Sequence, residues 1–261
     1  FATKFNKGPF MKIVFSGPGS AATGALVVGV LDGNAFTASA KDLDKKTGGA
    51  INRAIKAGTF KGKAGQSMAV LSPAGTRLDR VLVVGLGKPS DINEQVMYNL
   101  GGKIYASLGA SGSKAATIQL EAVKKSDMSV ADMAVAIAEG ARLRSYRFDK
   151  YRTKNKASNN GKPTLASVTI RCAGATKAKA AFRARDKVVD GVFMTRDLVS
   201  EPANVLYPET LAAEAKTLSK LGVQVQVLGR AQMEKLGMGA LLGVAQGSAR
   251  EPKMAIMRWN G

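Results

Sequence analysis

The sequence predicts an α/β protein: a mixed N-terminal α/β domain, a long linking helix and the first part of a second, truncated α/β domain. Two observations predict this class. Residues 25–31 are rich in valine, which predicts a strand buried on both faces, as in the interior of a parallel sheet. Between residues 211 and 257 the apolar pattern predicts, in order, a helix, a strand, a short helix and a second strand. This order is typical of a parallel α/β layer.

Turn signals divide residues 11–175 into strands and helices, which we assign to the N-terminal domain. The predicted strands cover residues 11–17, 25–31, 67–71, 80–86, 115–120 and 165–172. The predicted helices cover residues 42–57, 92–108 and 130–143. Gly48 and Gly49 lie inside the first of these helices, where glycine weakens the helical pattern.

The domain boundary is predicted near Ala175, and residues 176–199 predict a connecting helix with apolar residues along one side. Those apolar residues are Ala180, Ala181, Val188, Val189, Val192 and Phe193. Residues 200–261 then begin the second domain. Residues 1–10 read FATKFNKGPF and are interpreted as a tag or leader, because the first predicted strand starts at Met11.

Composition excludes several kinds of catalytic site. The sequence contains no histidine, which removes serine–histidine and cysteine–histidine nucleophile systems and the common zinc sites. Its single cysteine, Cys172, excludes an internal disulfide and fits a reducing compartment. Because Cys172 lies in an apolar strand, we interpret it as a buried, inert thiol. Chemistry by carboxylates, lysine or the backbone remains open.

The formal net charge of +20 is concentrated in the N-terminal part of the chain. Residues 1–175 carry 26 Lys and Arg against 11 Asp and Glu, a net charge of +15. Such a charge attracts polyanions and makes their binding depend on salt.

Residues 142–171 form the most basic segment and contain Tyr146, Phe148 and Tyr151 among the basic residues. Basic side chains interleaved with aromatic rings indicate nucleic-acid contact, through phosphate charge and base stacking. The candidate nucleic-acid-binding residues are Arg142, Arg144, Arg147, Lys150, Arg152, Lys154 and Lys156. The alternative is a solvated helix end followed by a basic loop, with no ligand.

Two further motifs suggest sites and have simpler structural interpretations. Gly85-Leu-Gly87 follows a strand like the start of a dinucleotide-binding motif, but Ser90 replaces the third glycine, which favours a plain strand-to-helix turn. Glu201, Asn204 and Glu209 are polar residues whose spacing fits a turn and the N-terminus of a helix better than a catalytic site.

Two long segments of the sequence resemble the start of the catalytic domain of the leucyl aminopeptidases, the cytosolic two-metal exopeptidases. They are RDLVSEPANVLYPETLA at residues 196–212 and KLGMGALLGVAQGSAREP at residues 235–252. A weaker, collinear resemblance runs through VLVVGLGK at 81–88, AIAEGARLRSYRFDKYRTK at 136–154 and SVTIRC at 167–172.

The resemblance implies a macro-like N-terminal domain, and a cytoplasmic enzyme that releases N-terminal amino acids from peptides. It implies two divalent metal ions, manganese or zinc, and a homo-oligomer, usually a hexamer. In the family the metal ligands follow the strand that residues 254–257 resemble, and no position up to Gly261 matches them. The resemblance therefore assigns no catalytic residue and no metal ligand here, and predicts that this chain alone binds no metal and is inactive.

An alternative function is a nucleic-acid-binding or assembly module built on the basic N-terminal domain, since some bacterial members of the family also bind DNA. No apolar run approaches the roughly 20 residues of a membrane span, so no membrane partner is expected. The strands at residues 223–228 and 254–257 predict an incomplete sheet with an unpaired edge. We expect this sheet to be completed by a further segment, another chain or self-association.

Overall fold

The computed structural model describes residues 11–19, 21, 23–152 and 163–260. The chain divides into two compact units, the first ending at Thr195 and the second beginning at Arg196. The segment interpreted as a tag or leader, residues 1–10, lies outside the described residues. The α/β fold class predicted from the sequence is confirmed, whereas the predicted domain bounds stay a prediction.

A mixed sheet forms the centre of the first unit. Its strands are β1 (Lys12–Ser16), β2 (Thr23–Leu31), β3 (Ala35–Phe36), β4 (Ser67–Leu71), β5 (Arg77–Gly87), β6 (Ala115–Leu120) and β7 (Ser167–Cys172). The order is β1-β7-β6-β2-β5-β4, and β3 pairs with β2. Strands β1, β7, β6, β2 and β5 are parallel to their neighbours, whereas β3 and β4 pair antiparallel. The valine-rich strand β2 lies at the centre, and Val27, Val28 and Val30 are fully buried.

Five helices belong to this unit or begin in it: α1 (Ala38–Lys46), α2 (Ala50–Ala57), α3 (Glu94–Gly109), α4 (Val130–Arg144) and α5 (Ala175–Ser200). The prediction of one helix over residues 42–57 is wrong, because α1 ends before Gly48 and α2 starts after Gly49. These glycines have φ of 60° and 83°, a left-handed conformation that ends a helix. Thr37 caps the start of α1, its side chain accepting from the Ala40 amide.

Each face of the sheet carries its own apolar core. Helices α1 and α2 cover one face, where Leu43 and Ile51 pack with Leu26 and Val81. Helices α3 and α4 and the start of α5 cover the opposite face, where Met97, Ile137 and Phe182 pack with the other side chains of the same strands. The period of two along β2 and β5 thus divides their side chains between the two cores, whereas the buried residues of β6 and β7 belong to the second core.

The buried side of α5 differs from the predicted one. Ala178, Phe182, Val189 and Phe193 are buried, at spacings that place them on one stripe of the helix. Of the predicted apolar side, Ala180, Ala181 and Val188 are exposed, because that set covers more than one helical face. In the described part of the chain, no helix is both long and apolar enough to cross a membrane.

The second unit contains α6 (Pro208–Thr217), β8 (Gln224–Leu228), α7 (Arg230–Lys235), α8 (Gly239–Val244) and β9 (Met254–Arg258). Strands β8 and β9 pair antiparallel, so the predicted parallel layer is wrong here. The apolar pattern indicates where strands lie along the chain but not the direction in which they pair. The 25 residues between β8 and β9 are enough for a parallel crossover as well, so the direction could not be read from the length of the connection.

Candidate functional site

Gly85 and Gly87 are in the last three residues of β5, and their amides pair with a neighbouring segment of main chain. The Gly85 amide donates to the Gln66 carbonyl at 2.9 Å, and the Gly87 amide donates to the Gly62 carbonyl at 3.0 Å. A Cβ on Gly85 would overlap the Lys63 carbonyl oxygen. A dinucleotide pyrophosphate would need the space beside Gly85 and the free amides of these glycines. Here main chain already occupies that space and accepts hydrogen bonds from those amides. Strand β5 continues through Gly87, so the connection to α3 begins at Lys88, later than the turn predicted at residues 85–87.

Among the candidate nucleic-acid-binding residues, Arg142 lies inside the first unit, with an exposure of 5%. Its Nε donates to Asp186 Oδ1 at 2.8 Å and its Nη2 donates to Asp190 Oδ1 at 3.1 Å. Its Cζ lies 5.3 Å from the centre of the Phe193 ring. This guanidinium therefore joins the end of α4 to α5. The choice of Arg142 as a nucleic-acid contact is not supported by this position.

The next basic residues lie closer to solvent. Arg144, Lys150 and Arg152 are exposed, whereas Arg147 is half-buried. Arg147 makes a two-pronged contact with Asp149, with Nε to Oδ2 at 3.1 Å and Nη2 to Oδ1 at 3.4 Å. The described surface of the candidate interface is thus reduced to Arg144, Lys150 and Arg152. Lys154 and Lys156 lie outside the described residues.

An exposed aromatic ring accompanies these side chains. Tyr151 is 49% exposed, and its ring lies 5.8 Å from that of Phe148, measured between ring centres. Lys150 Nζ lies 5.3 Å from the centre of the Tyr151 ring. A ring beside cationic groups is able to stack on an unpaired base, although the same contacts also stabilise a surface turn.

Two titratable groups of the first unit have shifted pKa values. Burial raises the pKa of Tyr105, and the nearby charges of Arg147 and Arg144 lower it in part. Burial also raises the pKa of the Cys172 thiol, which is 1% exposed. Both groups therefore stay protonated near neutral pH, and Cys172 is not an activated nucleophile.

In the second unit the two segments that carry the family resemblance, residues 196–212 and 235–252, lie close together in space. The Cζ atom of Arg250, in the second segment, lies 4.0 Å from the centre of the Tyr207 ring, in the first segment. Thr210 Oγ1 accepts from the Tyr207 amide at 2.9 Å and donates to the Val205 carbonyl at 2.9 Å. The sequence interpretation missed the stacking of Arg250 on Tyr207, because no local pattern relates two segments so far apart in the chain.

The polar residues Glu201, Asn204 and Glu209 occupy the turn and helix start that their spacing predicts. Asn204 is exposed, Glu201 is 8% exposed, and Glu209 lies in the first turn of α6. Within the described ranges, no group of three or more Asp, Glu, His or Cys residues could hold a metal ion. The residues that the structure describes therefore do not fit the family's two-metal centre.

Two family models match the sequence of this chain. The N-terminal domain of the cytosol aminopeptidase family matches residues 27–155, and the catalytic domain of the same family matches residues 193–261. A protein named "Probable cytosol aminopeptidase" from Rhodopseudomonas palustris strain TIE-1 is 44% identical over 255 residues, covering 96% of this chain and 49% of that protein. A protein of the same name from Caulobacter vibrioides is 40% identical over 240 residues, covering 92% and 47% respectively.

Solved structures also match this chain over most of its length. A mutant of tomato leucine aminopeptidase has a TM-score of 0.79 and 27% identity, covering 94% of this chain and 50% of that chain. Bottromycin maturation enzyme BotP in complex with Mn has a TM-score of 0.68 and 25% identity, covering 92% and 46% respectively. The chain spans about half the length of the relatives it matches.

The mixed α/β unit and the second unit are both matched, along nearly the whole chain, by proteins of one family. The chain belongs to the cytosol aminopeptidase family. The resemblance seen at residues 196–212 and 235–252 is thereby confirmed.

Proposed function

We propose that the protein carrying this chain is a leucyl aminopeptidase that releases N-terminal amino acids from peptides. The observation that carries the proposal is the 44% identity to a probable cytosol aminopeptidase over 96% of the chain. The match of residues 193–261 to the family's catalytic domain supports it further. By the same resemblance, the enzyme acts in the cytoplasm as a homo-oligomer, a hexamer in the usual family form.

The proposal includes two divalent ions, manganese or zinc, in the complete enzyme. Support comes from the relative BotP, whose structure is described as a complex with Mn. Such ions polarise a scissile carbonyl and activate water. In the proposal they are held by residues outside the described part of this chain, because that part offers no suitable cluster.

A polypeptide made of these 261 residues alone is expected to show no hydrolysis of leucine p-nitroanilide, with manganese or zinc added. The physical reason is that its described residues contain no group able to hold two metal ions. The measurement is release of p-nitroaniline, with the complete relative from Rhodopseudomonas palustris as the positive control. Hydrolysis by the polypeptide that a chelator removes and manganese restores would show that prediction to be wrong.

A second candidate function is binding of nucleic acid by the basic first unit. The observation that favours it is the net charge of +15 within residues 1–175. In this proposal the contacts come from Arg144, Lys150 and Arg152 in the described surface, together with Lys154 and Lys156. Assembly with other copies of the chain is the alternative use of the same unit.

If the unit binds DNA, changing Arg144, Lys150 and Arg152 together to glutamine should weaken duplex binding and reduce the slope of log affinity against log salt by roughly 3. The slope decreases because each lost phosphate contact releases about one counterion fewer. Fluorescence anisotropy over a salt series measures both quantities.

The matched control for the DNA experiment changes Lys41, Lys88 and Lys124 to glutamine. These lysines are exposed in the same unit, so the control removes the same net charge elsewhere. Equal weakening by both triple variants would argue against a defined interface at Arg144–Arg152. Affinity indifferent to salt would argue against nucleic-acid binding altogether.

A further inference from the structure

Strand β4 lies at one end of the seven-stranded sheet of the first unit. It pairs antiparallel with β5 over Ser67–Leu71, and in the part of the chain that the structure describes no strand lies on its other side. The strand reads SMAVL and contains no charged residue and no proline. Proteins usually protect an exposed edge with such residues or with a bulge, and the register of β4 with β5 is continuous. An edge without this protection is a template for pairing with another chain.

The hydrogen bonds to β5 show which main-chain groups of β4 point outward. In an antiparallel pair, every second residue exchanges both hydrogen bonds with its partner, and the residues between exchange none. The Gly85 amide donates to the Gln66 carbonyl at 2.9 Å, and the Ser72 amide donates to the Asp79 carbonyl at 2.9 Å. The bonded residues are therefore every second one from Gln66 to Ser72. Those whose amides and carbonyls point away from β5 are Ser67, Ala69 and Leu71.

The side chains of this edge divide between the two faces of the sheet. Met68 and Val70 pack against the core that α1 and α2 cover, but they are only partly buried. Ala69 and Leu71 belong to the opposite face and are exposed, Leu71 at 63%. Apolar surface is therefore open on both sides of the edge, and an added strand would cover part of it.

The edge is complementary to itself. When two copies of β4 run antiparallel about a twofold axis at Ala69, this residue meets its own copy, and Ser67 meets Leu71. These facing residues are the ones with outward amides and carbonyls, so each pair exchanges two hydrogen bonds. Between them Met68 faces Val70, which is an apolar pair. Every outward group of β4 thus finds a partner in a second copy.

This register also keeps charges apart. Each copy carries a formal net charge of +20, which opposes the association of two copies. Like charges directly opposite each other would destabilise paired strands, and the paired residues of β4 carry none. The next facing pair on each side, Gln66 with Ser72, is also uncharged. The repulsion that remains acts over a longer range and is screened by salt.

We propose that β4 pairs with β4 of a second copy of this chain and joins the two seven-stranded sheets into one. The self-complementary register is the reason to choose a second copy over an unrelated strand. One five-residue edge buries little area, so the dimer is weak and reversible. The proposal names a surface for the assembly considered above. It does not rest on peptidase activity, and hydrolysis assays bear on the peptidase proposal alone.

The first test is sedimentation equilibrium of the 261-residue chain over a concentration series, at low and at high salt. A monomer–dimer equilibrium is expected, and the dimer should become more stable as salt rises, because salt screens the repulsion between copies. A chain that stays monomeric throughout would overturn the proposal and leave the edge to a strand of another protein. Association that weakens as salt rises would also contradict it, because the paired edge is uncharged.

Substitutions at Ala69 locate the contact. Ala69→Lys and Ala69→Glu should each weaken the dimer about fivefold, because the twofold register places two like charges directly opposite each other. An equal mixture of the two variants should restore the dimer, since opposite charges then face each other. The matched controls are Ala74→Lys and Ala74→Glu, at an exposed position in the turn after the strand. Association unchanged by the Ala69 variants, or a mixture that gains nothing, would contradict pairing of β4 in this register.

Amide hydrogen exchange, followed residue by residue by NMR, tests the same contact without a substitution. The amides of Met68 and Val70 bond to β5 and should be protected at every concentration. Those of Ala69 and Leu71 should exchange freely in the dilute monomer and gain protection as the dimer forms. Fast exchange that persists at Ala69 and Leu71 while the protein dimerises would place the contact elsewhere and overturn the proposal.

Discussion

Replacing Gly140 with alanine is expected to lower the free energy of unfolding by about 3 kcal/mol, at the upper end of the usual cost of overpacking. Gly140 of α4 faces α3, and a Cβ there would lie 2.8 Å from the carbonyl carbon of Tyr98 and closer still to its oxygen. The reverse contact exists at Gly101, where a Cβ would overlap the Ile137 carbonyl. The obstruction is main chain on both sides, so the helices themselves must move apart. Urea unfolding followed by circular dichroism measures the loss.

The matched control for Gly140→Ala is Gly191→Ala, in the interior of α5. A Cβ on Gly191 meets no atom within 4 Å, and the residue is exposed. Here alanine should raise the free energy of unfolding by about 0.5–1 kcal/mol through helix propensity alone. If both substitutions stabilised the protein, the close crossing of α3 and α4 would not be present in solution.

Replacing Arg142 with methionine is expected to cost roughly 3 kcal/mol, the lower end of the range for breaking a buried ion pair. Methionine retains most of the apolar length of the side chain and removes the charge. The Asp186 and Asp190 carboxylates then lose a partner whose side chain is only 7% exposed. Because these side chains are themselves 31% and 34% exposed, water compensates in part, which is why the lower end applies.

Arg144→Met, two residues further along α4 and exposed, is the control and should change stability by no more than about 0.5 kcal/mol. The double variant Arg142→Met, Asp186→Asn should recover part of the lost stability, because Asp186 is then neutral and Asp190 keeps Lys187 as a partner at 3.1 Å. Equal stabilities of the Arg142 and Arg144 variants in urea unfolding would contradict the role of Arg142 in joining α4 to α5.

The position of Arg142 also changes how nucleic-acid binding is tested. A variant that includes Arg142 would lose stability as well as charge, so weaker DNA binding by it could reflect unfolding. Restricting the substitutions to Arg144, Lys150 and Arg152 separates the two effects, because those side chains are exposed.

Local pattern was sufficient for the exact bounds of two strands of the first unit. β4 and β6 begin and end where the apolar alternation and its flanking turns predict, at Ser67–Leu71 and Ala115–Leu120. Burial of β2 on both faces also follows from its valine content, since a strand without polar alternation must be covered on both sides. The interruption between α1 and α2 was signalled by Gly48 and Gly49, although composition alone does not show that both adopt positive φ.

The sequence by itself determined the α/β class, the approximate positions of most strands and helices, and membership of the aminopeptidase family, because periodicity, turn residues and long shared segments are local properties. Only the tertiary structure decided which charges face solvent, since burial of Arg142 depends on the carboxylates of α5. It also decided that Gly140 admits a close helix crossing and that β9 returns antiparallel to β8. Each of these depends on segments far apart in the chain, whose meeting no local pattern records.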